Sequence, residues 1–136
     1  MVRQIADIIS DLKIFCMEGD YMLRLSKLTD ELLQTKNKEE ALPALFGILE
    51  KYPEEELGSP GPLVHAIEKC KGYEEALIYS LDRRPSTLGI WMLYRLLKKR
   101  NDSQYKEALR KVKENPLSSE QMKEDAELIG DWLKIN

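Results

Sequence analysis

Few side chains in this sequence have the type and spacing to do chemistry. His65 is the single histidine among 136 residues, and it follows Val64 on a short apolar segment beside a proline- and glycine-rich stretch. A zinc site needs further donors at ligand spacing. The two cysteines, Cys16 and Cys70, lie far apart and outside any metal spacing, so both read as free thiols. His65 then reads as a structural residue that hydrogen-bonds the neighbouring loop. Glu54, Glu55 and Glu56 offer adjacent carboxylates, but acid–base work needs a pocket that splits their acidities. Consecutive carboxylates on a loop are ordinarily solvated. There is no Gly-x-Ser-x-Gly nucleophile motif. Gly58-x-x-Gly61 carries prolines and lacks the lysine of a phosphate loop. The residues point away from an enzyme, from a metal or cofactor, and from a small-molecule substrate.

Charge is more informative than chemistry. The net charge is only -3, but residues 83–113 hold ten Lys/Arg against two Asp/Glu. Residues 36–57 hold three against six, and residues 114–136 hold two against six. Such blocks are solvated helix faces, or surfaces that meet a charged partner. The basic block includes Arg83, Arg84, Arg95, Lys98, Lys99, Arg100, Lys106, Arg110, Lys111 and Lys113. Tyr94 and Tyr105 lie among them, so a groove for phosphates is conceivable. The chain as a whole is acidic and several of these cations sit where helix C-termini attract them, so nucleic acid is the weaker reading.

The elements that must position these charges read as helices. Residues 2–17 place Ile5, Ile8, Ile9, Leu12, Phe15 and Cys16 on one face. Glu18-Gly19-Asp20 then breaks the pattern, with Asp20 as N-cap of a second helix; one long helix kinked at Gly19 is the alternative. Asn37 and Glu40 resemble a capping box for a third helix that ends before Pro53, and Pro43 either opens or kinks it. Pro62 suits the first position of a fourth helix, which Gly72 terminates. A fifth starts at Tyr73. The sixth, Ser86 to Arg100, is apolar all round between Leu88 and Leu97 except at Gly89 and Arg95, which predicts burial on every side and makes it the central helix. Asn101-Asp102-Ser103 caps a seventh with a thin stripe of Tyr105, Ala108, Leu109 and Val112. Ser118 and Gln121 suggest a capping box for the eighth, with Leu117 stapled to Met122, and Met122, Ala126, Leu128, Ile129, Trp132 and Leu133 facing inward. Trp91 and Trp132 both read as core.

The expected fold is therefore all-α: about eight antiparallel helices in hairpins (three with four, five with six, seven with eight), in one domain over 1–136. Helix starts recur at roughly thirty to thirty-five residues, near the period of α-solenoids, and ALPALFGILEKYP is similar to the first helix of a HEAT-type repeat. A helical bundle is the other possibility. No run reaches membrane-spanning length. Arg3, Asp7 and Asp11 interrupt the first apolar stretch, so no secretory leader is apparent and a cytoplasmic protein is expected.

The segment Gly58-Ser59-Pro60-Gly61-Pro62-Leu63-Val64-His65, then Tyr73, Arg84-Pro85 and Trp91-Met92-Leu93-Tyr94-Arg95, resembles a group of small helical bacterial proteins. They are similar to immunity proteins of polymorphic-toxin and contact-dependent growth-inhibition systems. The resemblance covers the middle third of the chain. It implies stoichiometric binding to a cognate toxin domain, blocking its active site or substrate entry. Many toxin domains are basic nucleases, and an acidic surface would speed association with one. Glu54, Glu55 and Glu56, or Glu120, Glu124, Asp125, Glu127 and Asp131, are the residues that could supply it. An α-solenoid adaptor and a nucleic-acid-binding helical protein are the alternatives.

Overall fold

A computed structural model describes residues 3–58 and 60–135. They form eight α-helices and one 3-10 turn, with no strand among the described residues, so the all-α expectation holds. Contacts divide them into two compact units. One comprises the residues up to Lys51 together with Glu55–Tyr73; the other comprises Tyr52–Glu54 and the residues from Glu74 onward.

The first unit holds α1 (Ile5–Lys13), α2 (Tyr21–Leu33), the 3-10 turn Lys38–Ala41, α3 (Leu42–Lys51) and α4 (Gly61–Glu68). α1 packs on α2 and α3, and α4 packs on α2 and α3. Ile8, Leu12, Leu25, Leu32, Leu45, Phe46, Leu49, Leu63 and Ile67 are among its fully covered apolar residues. Gly19 sits at φ +55, which separates α1 from α2 and rules out one continuous kinked helix. Arg24 braces this corner. Its guanidinium donates to the carbonyls of Cys16 and Glu18, both at 2.7 Å, and lies 5.9 Å from the Phe15 ring centroid. Asp20 is the N-cap residue of α2, but its side chain makes no capping bond. The expected Asn37–Glu40 box is also unmade. The Asn37 carbonyl accepts the Glu40 N–H at 3.0 Å instead, and a 3-10 turn precedes α3. Pro43 is the second residue of α3, where no N–H is needed, so it opens the helix without kinking it.

The connection into α4 is held from both sides. Leu57 is fully buried, and the Tyr21 hydroxyl donates to the Glu56 carbonyl at 3.3 Å. Gly58 has φ +115, and a Cβ there would stand 2.3 Å from the Gly61 Cα, so only glycine fits. Gly61 opens α4 with φ +85, which leaves Pro62 as the first residue with a helical φ. Cys70 is buried after α4, its thiol 3.4 Å from the Ala66 carbonyl. Both cysteines are free thiols.

The second unit holds α5 (Tyr73–Arg83), α6 (Thr87–Lys99), α7 (Ser103–Glu114) and α8 (Glu120–Leu133). α6, α7 and α8 pack mutually. Ser86 is buried and caps α6 by accepting the Gly89 N–H at 3.1 Å. Gly89 is where α5 comes close: an added Cβ would lie 2.6 Å from Ser86 Oγ and 3.0 Å from Leu81 Cδ2. Asp102 caps α7 by accepting the Gln104 N–H at 2.8 Å, and Tyr105, Ala108, Leu109 and Val112 are all buried as expected. The cap of α8 is Ser119, not Ser118: Ser119 Oγ accepts the Met122 N–H at 3.2 Å. Ser118 donates to the Val112 carbonyl at 2.7 Å, and Leu117 is exposed, so the expected box and staple are absent.

The expectation that α6 is buried on every side needs correction. Gly89, Ile90, Met92, Leu93, Leu96 and Leu97 are buried. Trp91, Tyr94 and Arg95 are only half-covered, and Lys98 is exposed. At about 100° per residue these four share one arc of the helix. The helix is therefore two-sided.

Candidate functional site

The second unit presents one continuous mixed surface, built from α8 and the half-open arc of α6. Met122, Asp125, Ala126, Ile129 and Gly130 form the buried side of α8. Glu120, Glu124, Glu127 and Asp131 fall on the opposite side and are exposed, spaced four, three and four residues apart. That spacing aligns them in one ridge. Glu127 accepts a contact from Lys113 Nζ at 3.2 Å, and Glu120 lies 3.6 Å from Lys123 Nζ. Asp125 is turned inward, 8% exposed, and accepts a bond from Gln121 Nε2 at 3.0 Å. It belongs to the helix packing and not to the ridge.

Beside the ridge stand two residues expected in the core. Leu128 is 41% exposed and Trp132 53%. Both lie one step outside the arc of Met122, Ala126 and Ile129, which is the signal that marks them as edge residues. Trp132 leans on α6: its ring centroid is 5.9 Å from Trp91 and 5.7 Å from Tyr94. Trp91 and Tyr94 meet edge to face at 5.7 Å with an interplanar angle of 87°. Lys98 Nζ sits 4.7 Å from the Tyr94 centroid. α8 ends beyond Trp132 in a Schellman turn, with Lys134 at φ 58, Lys134 N–H on the Asp131 carbonyl at 3.2 Å and Ile135 N–H on Gly130 at 2.9 Å.

The second acidic group is less ordered as a site. Glu54, Glu55 and Glu56 are all exposed. Glu56 spends one carboxylate oxygen on the Gly58 N–H at 2.9 Å. Glu54 belongs to the second unit, Glu55 and Glu56 to the first.

Three cations of the basic block make contacts within the fold. Arg110 donates to Glu107 and Glu114, and its hydrogen bond to the Glu107 carboxylate raises its pKa above the usual guanidinium range while lowering that of Glu107. Arg84 donates to the Leu117 carbonyl at 2.8 Å, and Arg100 stands 4.0 Å from Asp102. His65 is exposed on α4. No group of three or more His, Cys, Asp or Glu poised to hold a metal occurs among the described residues. None of the described helices is long and apolar enough to cross a membrane.

The first unit offers a cleft of about 410 Å³ at the α1–α2 corner, lined by Ile14, Phe15, Arg24, Leu28 and Glu31 among others. Arg3 closes one side of α1 and α2 with bonds to Glu31 and Asp11, both at 2.8 Å. The bond from Arg3 holds the Glu31 carboxyl below its usual range.

No protein-family model, curated protein or solved structure matches the chain.

Proposed function

We propose that this chain is an immunity-type protein that binds a cognate toxin domain stoichiometrically and blocks it, without a chemical step of its own. The observation that carries the reading is the ridge of Glu120, Glu124, Glu127 and Asp131 along the exposed side of α8. A row of carboxylates on a packed helix gives a basic partner fast, oriented association. It also costs little ordering, since α8 is already fixed against α6 and α7. The nucleic-acid alternative loses support from the same surface, which repels phosphate, and from the engagement of Arg84, Arg100 and Arg110 within the fold. Its place as a protein of the cytoplasm follows from this reading, because immunity must act where the toxin would act.

The reading requires a toxin-type reading frame beside this gene, and the test is co-expression with the C-terminal domain of such a frame. Protection of the cells and a one-to-one complex on size-exclusion chromatography are expected. Replacing Glu120, Glu124 and Glu127 together with lysine should abolish protection while helicity by circular dichroism is retained. Equal killing with and without this protein would refute the function.

A further inference from the structure

We propose that Trp132 and Leu128, braced by Trp91 and Tyr94, are the apolar anchor through which the acidic face of α8 holds a lysine- and arginine-rich protein surface. This rests on the toxin-binding reading and says where on the chain the affinity resides. Half of the Trp132 surface is open to water although the residue stands among aromatic neighbours. Leu128 precedes it by one helical turn and is likewise open, so the two form a single apolar strip on α8. Glu124, Glu127 and Asp131 run along that strip. Apolar centre and charged border is the arrangement in which truncating one aromatic residue costs most of the affinity.

The ring geometry selects the occupant. The three centroids lie 5.7 to 5.9 Å apart, so the rings touch each other. A base or an ammonium group held between facing rings needs about 7 Å, twice the usual contact distance of about 3.5 Å. Nothing can be inserted there, and the outward face of Trp132 is what a partner meets. Trp91 and Tyr94 fix the rotamer of that face before contact, which lowers the cost of ordering it. A second copy of this chain fits poorly. A two-fold contact would set the α8 carboxylates of one copy against those of the other. A partner with cations around an apolar pocket satisfies both parts of the strip.

The experiment measures association and dissociation rates of the protein against the purified toxin-type domain of the co-expression test. Trp132→Ala should speed dissociation by about 30-fold or more, the hot-spot range. Leu128→Ala should act in the same direction and more weakly. Glu124→Gln with Glu127→Gln should instead slow association, with little change in dissociation. Circular dichroism checks that each variant folds, and Trp132→Phe, which keeps the ring, should recover most of the lost residence time. If the wild type binds and both anchor variants dissociate at its rate, the anchor is wrong and toxin binding stands. If the wild type does not bind, the functional reading falls and takes the anchor with it. A wild-type dimer that Trp132→Ala dissociates would assign the strip to a second copy and overturn the proposal.

Discussion

The two units begin their helices by different means. In the second, α6, α7 and α8 each start on a side chain that accepts a backbone N–H: Ser86, Asp102 and Ser119. In the first, the N-cap residues of α1, α2, the 3-10 turn and α4 are Gln4, Asp20, Asn37 and Pro60, and none makes such a bond. That unit controls its chain direction with glycines at positive φ, at Gly19, Gly58 and Gly61. The starts of α6, α7 and α8 in the second unit are thus specified by short-range chemistry. Those of the first depend on turns whose shape must be right before the core can close.

The contrast can be broken most sharply at Gly58. Gly58→Ala must relieve both a forbidden φ and an overlap with the Gly61 backbone, and should cost roughly 2–4 kcal/mol by denaturant unfolding. A loss below about 0.5 kcal/mol would mean that the loop yields and the turn does not govern the unit. Gly89→Ala comes next, at about 1–3 kcal/mol, even though alanine is the better helix former, because the new methyl meets Ser86 Oγ and Leu81. Ser86→Ala should cost about 1–2 kcal/mol, whereas Asp20→Ala and Asn37→Ala should stay within about 0.5 kcal/mol. Equal losses at all three would erase the distinction between the units.

Lys134→Gly sharpens it from the other end. The last helix of the well-capped unit closes on a left-handed lysine, and glycine there should stabilise by about 1 kcal/mol, read as a raised melting temperature. The smallest effect concerns Cys70. Burial, with a lesser contribution from Glu39, pushes its thiol up to about 11 from the ordinary 9.0. A thiol that ionises later when folded supports the fold below pH 9.0 and surrenders that support as pH climbs toward about 11. Wild type should therefore lose more stability than Cys70→Ala across that window. In the folded protein a thiol reagent should label half-buried Cys16 first.

Helix content was legible because its signals are local. Ser86 and Asp102 stand immediately before apolar periodic segments, and both accept a backbone N–H of the first turn. The eighth helix shows where local signals run out. Ser118 and Ser119 are equally good caps by type; the choice is made by the Val112 carbonyl, which claims the Ser118 hydroxyl from six residues back. Trp132 and Leu128 have core chemistry, and only their angle around α8 betrays that they sit on its edge. The acidic residues were all visible as candidates, yet whether Asp125 joins the ridge or the packing was decided by Gln121 and by burial. Asp20 failed as a side-chain cap although its position was right.

The corner between α7 and α8 is stitched to a much earlier part of the chain. Arg84 reaches the Leu117 carbonyl at 2.8 Å, and Asn115 Nδ2 reaches the Asp82 carbonyl at 3.1 Å. The angle at which α8 leaves that corner is therefore dictated from the tail of α5, some thirty residues upstream. An altered Arg84 would act like a loosened bracket behind a door plate: every exposed atom of α8 stays the same, yet its aim drifts.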